Sequence, residues 1–173
     1  MPDHPTMRHH RLLITLPLVL CAVLAALYRL DATALNVILA AIFGPPFSLL
    51  RAWCQSHFPL PGSIIYNLPS ALWTWSLTLL GHRLLLPLPG GRRVPYRPIA
   101  ITFVLLMEAV QYLGWSDGTF DRADITWSLA AYGSALLFLR FFATPPTAWS
   151  PARPRAYLIF WLLFFAVFLA DIV

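Results

Sequence analysis

Apolar residues run through this chain in long blocks, not in the three-and-four spacing of a helix with one wet face. The ruler for such blocks is the bilayer, because about twenty apolar residues make a helix that crosses its hydrocarbon core. Five blocks are predicted to span on that ruler: Leu12–Leu30, Ile64–Leu80, Pro98–Gly114, Ile125–Phe142 and Tyr157–Ile172. Pro69 falls in the first turns of the second, where a missing N–H does least harm. The third opens on proline and closes on glycine, as helix punctuation predicts. Between the first two lies Ala32–Trp53, apolar but interrupted by Gly44-Pro45-Pro46. Each of its arms is about a dozen residues or fewer, too short to cross. Non-helical backbone at depth survives only under a cover of protein or water. A broken interfacial or re-entrant helix is therefore expected here, with a sixth full span as the competing reading.

The charges between the blocks give an orientation. Arg8 and Arg11 precede the first block, Arg83, Arg92, Arg93 and Arg97 separate the second from the third, and Arg153 and Arg155 separate the fourth from the fifth. The connection between the third and fourth instead carries Asp117, Asp121 and Asp124 against Arg122. All the basic loops fall on the cytoplasmic side if Ala32–Trp53 does not cross. The expected fold class is all-α: a polytopic transmembrane helical bundle of about five spans forming one integral membrane domain, residues 1–173. Its N-terminus is cytoplasmic and its C-terminus outside. Trp73, Trp75, Trp115 and Trp127 are expected near the outer interface. Pro87–Pro98 and Thr144–Pro154 read as stiff proline-rich connectors.

Composition agrees with that solvent. The chain is 59% hydrophobic and 11% charged, against about a quarter charged in soluble domains. All twelve cationic side chains are arginines. Guanidinium suits phosphate-bearing partners, but arginines scattered between apolar spans are first of all what orientation and anionic head groups require. They form no nucleic-acid signature. Cys21 and Cys54 have no ligand-spaced neighbours and read as small buried hydrophobes. The basic start followed by Leu12–Leu30 imitates a signal peptide, but its apolar stretch of about nineteen residues exceeds the usual core of a cleavable one. It reads as an uncleaved signal-anchor.

The chemistry concentrates in one stretch, Glu108–Asp124, EAVQYLGWSDGTFDRAD. Glu108 interrupts an apolar run, and ionisable groups inside a span are costly and usually face a protein interior. Gln111 follows on the same helix face, so a polar pair bonded to a neighbouring helix is one reading. Rise per residue sets Glu108 about 9 Å inside the helix end at Gly114. Asp124, directly before Ile125, reads as the N-cap of the fourth span. Asp117 and Asp121 suit turns. Oxygen donors in this number would also allow a divalent cation, although the spacing matches no calcium loop and no cofactor is predicted. Arg29 is a candidate counter-charge for Glu108, and His57 a lone histidine. No phosphate loop, nucleophile elbow, Ser-His-Asp set or His-Glu-x-x-His occurs, so no catalytic residue is assigned.

The same stretch resembles the VanZ-like bacterial membrane proteins. Their hallmark is a span ending in Glu-x-x-Gln, a short outer loop, and Asp-x-x-Asp entering the next span. Glu108, Gln111, Asp121 and Asp124 fall on those positions. Tyr66–Leu80, YNLPSALWTWSLTLL, resembles the family's polar turn before an aromatic-rich span, with Asn67 and Ser70 in that turn. The resemblance covers residues 67–139 and departs from the pattern at Ser128, where the family tends to have Asn, at Ala131, where glycine is expected, and near Ser70, often acidic. Ser128, Ala131 and Ala135 still form a small-residue stripe that lets helices approach closely.

The resemblance implies an inner-membrane protein of the cell envelope linked to glycopeptide (teicoplanin) resistance. Its outward cluster, Glu108, Gln111, Asp121 and Asp124 with Asn67, Ser70, Asp117 and Ser128 in support, would engage an envelope lipid, a glycan precursor or a cation. The alternative is a non-catalytic structural subunit of a larger membrane complex, and a small transporter ranks last. The expected partners are the lipid bilayer and other membrane proteins. No nucleic acid or soluble substrate is implied.

Overall fold

The computed structural model describes residues 5–29, 33–82, 84–87, 89–91, 93–115, 120–142 and 154–171. Among them are seven α-helices: α1 (Pro5–Tyr28), α2 (Ala34–Phe43), α3 (Pro45–His57), α4 (Gly62–Gly81), α5 (Ile99–Tyr112), α6 (Arg122–Phe142) and α7 (Pro154–Asp171). The molecule is predominantly helical, as its block pattern predicts. Asp31, Arg83, Arg92, Asp117, Arg153, the end of the fifth block at Ile172 and all of Thr144–Pro154 but Pro154 lie outside the described residues.

The proline-rich connector after α4 corrects an expectation. It is a small antiparallel hairpin of β1 (Leu85–Pro87) and β2 (Arg93–Pro95), with Leu85 opposite Pro95 and Leu86 opposite Val94. Prolines are tolerated because a two-stranded ribbon consists of edges, where a missing donor need not break a ladder. Ala32–Trp53 breaks where the sequence predicts. Gly44 sits at φ 61° and ψ −149°, a region essentially reserved for glycine, and Pro45 opens α3 at a position that needs no N–H.

Helix α4 is the axis of the fold, touching α1, α5, α6 and α7. Side-chain pairings give the directions. Arg29 reaches the Tyr66 carbonyl while Ile14 packs near Leu79, so α1 runs antiparallel to α4. Phe103 meets Trp73, and Gly81 abuts the Tyr96 backbone, so α5 is antiparallel too. Trp73 donates to the Leu163 carbonyl at 3.2 Å and Leu85 meets the Tyr157 hydroxyl, which makes α7 antiparallel as well. Helix α6 alone of these is parallel to α4: Ser70 bonds Asp124 near one end and Leu79 packs on Ala135 towards the other.

The interior is unusual in polarity. Asn67, Ser70, Thr74, Ser76 and Thr78 of α4 are buried, while α1, α2, α3, α5, α6 and α7 expose Leu16, Ile42, Leu49, Leu106, Phe141 and Leu162. One apolar cluster joins Cys21, Trp73, Leu77, Tyr96, Val104 and Phe160. A second joins Leu79, Ala135 and Leu139. Trp73 is 2% exposed, in the aromatic core with Phe103 and Phe164, and Trp75 packs on Phe138. Trp73 is therefore away from any outer surface, covered by α5 and α7, while Trp75, two residues on and so on the other side of α4, lies half-buried against α6. Trp115 and Trp127 are exposed. Among the described residues α6 alone is a helix both long and apolar enough to cross a membrane; Leu12–Tyr28, Ala34–Phe43 and Ile99–Tyr112 are shorter apolar helices.

Candidate functional site

The predicted cluster gathers where α5 hands over to α6. Helix α5 ends on Gly114 at φ 70°, which reverses the chain without a Cβ clash. The Gly114 and Trp115 amides bond back to the carbonyls of Gln111 and Val110. Within α5, before this turn, Glu108 is 6% exposed, and its Oε2 accepts the Asp121 amide at 3.0 Å. The carboxylate therefore ties the last turns of α5 to the start of α6. Of the polar pair expected to bond to a neighbouring helix, Glu108 does bond outside its own helix, to the residue that precedes α6. Gln111 Oε1 is buried with no partner among the described residues.

Asp121, not Asp124, caps α6. Its Oδ1 accepts the Ala123 amide at 2.8 Å, and the helix begins at Arg122. Asp124 thereby moves into the first turn, where a carboxylate also complements the helix dipole. The sequence misplaces the cap because two aspartates three apart both precede the apolar run. The winner is decided by where the Glu108 bond anchors the loop. Asp124 shares a hydrogen bond with Ser70 and lies in the fields of Glu108, Arg29 and Asp121. Its Oδ1 has no partner among the described residues. Arg29 interacts electrostatically with Asp124, which replaces Glu108 as the counter-charge partner.

Below this cluster a polar seam continues between α4 and α6. Ser128, one turn beyond Asp124, and Thr74, one turn beyond Ser70, are both fully buried, and neither hydroxyl oxygen has a partner among the described residues. The small stripe Ser128, Ala131 and Ala135 does let the helices approach: Ser128 and Ala135 are fully buried. Asn67 is buried on the same helix as Ser70. The structure therefore brings Glu108, Asp121, Asp124 and Ser70 together, with Gln111 one turn outward of Glu108. Asp117 lies outside the described residues. Among those described, no group of three His, Cys, Asp or Glu side chains could hold a metal ion. His57 is held locally, by the Trp53 carbonyl and the Ser56 hydroxyl. Cys21 and Cys54 are buried and free.

Sequence reasoning missed Arg51 and Asn36. Asn36 Nδ2 donates to the Arg29 carbonyl at 3.3 Å, and Arg51 bonds that same carbonyl. Gln55 donates to the Leu27 carbonyl, and the Tyr28 hydroxyl to that of Phe58. The end of α1 is thus satisfied by side chains from α2 and α3, answering the need of terminal carbonyls for donors. The available signal was a lone arginine and a lone asparagine within an otherwise apolar broken segment. No protein-family model, curated protein or solved structure matches the chain.

Proposed function

We propose that this chain is an integral protein of the bacterial inner membrane, VanZ-like in its acidic hairpin, that binds a donor-rich polar group at its outer end through Glu108, Gln111, Asp121 and Asp124. The observation that carries the reading is the pair of buried acceptors, Gln111 Oε1 and Asp124 Oδ1, without partners among the described residues beside a hairpin already fixed by Glu108. Buried acceptors are normally satisfied. Hydroxyl or ammonium donors would satisfy these, as on an envelope glycan precursor or a lipid head group, and so would a cation.

Membrane residence is supported by the distribution of polarity. Soluble proteins rarely expose large contiguous apolar surfaces, whereas leucines, isoleucines and phenylalanines cover the outside of this bundle and hydroxyls line its axis. The alternating directions of α1, α4, α5, α6 and α7 suit five spans with α2 and α3 at the outer interface. That arrangement puts the N-terminus in the cytoplasm and the C-terminus outside. The family's link to glycopeptide resistance supplies the assay. Glu108→Gln and Asp124→Asn are expected to abolish any contribution of the chain to teicoplanin tolerance while the purified proteins keep wild-type helicity and melting. Unchanged tolerance in both variants sinks the proposal.

A second reading, a structural subunit of a membrane complex, is favoured by one feature: α2 and α3 expose Ile42, Phe43, Leu49 and Leu50 around Gly44. Its expected outcome is co-purification of a defined partner in gentle detergent, and a monodisperse monomer overturns it.

A further inference from the structure

Helices α4 and α6 run parallel, and their polar positions fall opposite one another. Ser70 bonds Asp124, and further along Leu79 packs on Ala135. One turn on from the first pair, Thr74 of α4 and Ser128 of α6 therefore face each other across the seam. Both residues are 0% exposed, and neither hydroxyl oxygen has a hydrogen-bond partner among the described residues. A hydroxyl inside a helix can bond back to the carbonyl four residues before it, as Thr78 does to that of Thr74. Thr74 and Ser128 leave that bond unmade, so their oxygens are engaged neither by their own helix nor by each other. One turn above them, Asp124 Oδ1 is also buried without a partner among the described residues.

Charge favours a cation at this place over a neutral guest. Glu108 and Asp121 act on Asp124 as well as Arg29 does, so three carboxylates stand against one guanidinium with that ion pair counted. The positive end of the α6 dipole opposes a cation chiefly in the first turn, and Ser128 lies in the second. The ligand set then selects the ion. Oxygen ligands suit a hard cation. A divalent ion calls for several charged ligands, and among the described residues no group of three His, Cys, Asp or Glu side chains could hold one. One carboxylate oxygen with neutral hydroxyls suits a single charge, and full burial between closely packed helices suits sodium better than the larger potassium.

We infer that the seam between α4 and α6 binds a sodium ion through Asp124 Oδ1, Thr74 Oγ1 and Ser128 Oγ, with the Ser70 hydroxyl beside Asp124. The inference deepens the proposed function and rests on that reading for Asp124, whose open oxygen it assigns to a cation. Thr74 and Ser128 belong to this site alone.

The test uses the full chain purified in a mild non-ionic detergent. Thermal unfolding is followed in sodium, potassium and choline chloride at one ionic strength, so that screening is equal. Sodium at about a hundredfold excess over its Kd is expected to raise the melting temperature by about 5 °C over choline, and potassium by clearly less. Radioactive sodium retained on the same protein at equilibrium dialysis should approach a single ion per chain. Thr74→Val and Ser128→Ala each remove a ligand oxygen that makes no hydrogen bond within the fold, so both are expected to fold and to weaken sodium binding by about tenfold or more. Should Thr74→Val fail to fold, Ser128→Ala alone decides. No sodium response beyond that in choline, an equal response to potassium, or sodium binding unchanged in the folded variants overturns the inference; the last would mean that water alone meets the two hydroxyls. Failure of the acceptor-cluster reading is seen separately, as unchanged teicoplanin tolerance in Glu108→Gln and Asp124→Asn, whereas the sodium response is read on the purified wild-type chain.

Discussion

Glu108 shows how a single residue can carry both cost and purpose. A carboxylate buried among apolar side chains is expensive unless hydrogen-bonded, and here the Asp121 amide meets one of its oxygens. Its first role is therefore to hold the hairpin, and its conservative replacement by glutamine, which keeps an acceptor oxygen, is the variant that separates holding from binding. Asp121 makes the complementary bond, capping the Ala123 amide. Removing an N-cap side chain costs about 0.5–2 kcal/mol. Asp121→Ala is thus expected to lower the melting temperature in detergent, whereas Asp121→Asn, which caps equally well, stays close to wild type. Equal losses in both would mean that the charge matters and the cap does not.

At the scale of elements, the decisive contact is the one between α4 and the hairpin that follows it. A Cβ at Gly81 would stand 2.9 Å from the Tyr96 carbonyl carbon and 3.1 Å from the Arg97 amide nitrogen, both backbone atoms. Rigid neighbours cannot yield as a side-chain tip does. Gly81→Ala is therefore expected to destabilise by about 1–3 kcal/mol, the range of overpacking. Gly133, in the middle of α6, is the control, since a Cβ there meets nothing within 4 Å. Gly133→Ala should stabilise by up to about 1 kcal/mol through helix propensity. Thermal unfolding of both variants in one detergent checks the contrast, and shifts of the same sign would refute it. Neither difference is legible in the sequence, where Gly81 and Gly133 are two glycines in apolar helices. Close approach to a backbone distant along the chain distinguishes them.

For the whole molecule, the arrangement of helices makes the topology testable. Cys21 and Cys54 are buried and can be replaced by alanine to give a silent background. On that background Gly90→Cys, in the hairpin turn, is expected to react with a membrane-impermeant maleimide only after the inner face is opened. Phe120→Cys, in the acidic connection, should react in intact spheroplasts. Labelling of both from the same side would end the five-span reading, because α5 lies between them. The same topology accounts for α4, whose serines and threonines keep its hydropathy low. Surrounded by α1, α5, α6 and α7, it keeps little open surface, and its hydroxyls can bond backward, as Thr78 does to the Thr74 carbonyl at 2.6 Å.

By itself the sequence determined the helical blocks, the break at Gly44 and the segregation of acidic groups into the α5–α6 connection. Each of these follows from local chemistry: hydrophobic length, a glycine-only backbone conformation, and carboxylates between apolar runs. It also marked Ser128 and Ala135 as a seam, since small residues at helical spacing have few other uses in a bundle. Only the tertiary structure decided that α4 is the axis, that Trp73 belongs to the core, that Asp121 caps α6 and that Arg29 answers Asp124. It also brought Arg51, far along the chain, to the end of α1. Those outcomes depend on which faces are covered by distant elements, and an apolar helix gives little sign of that face because it is hydrophobic nearly all the way round.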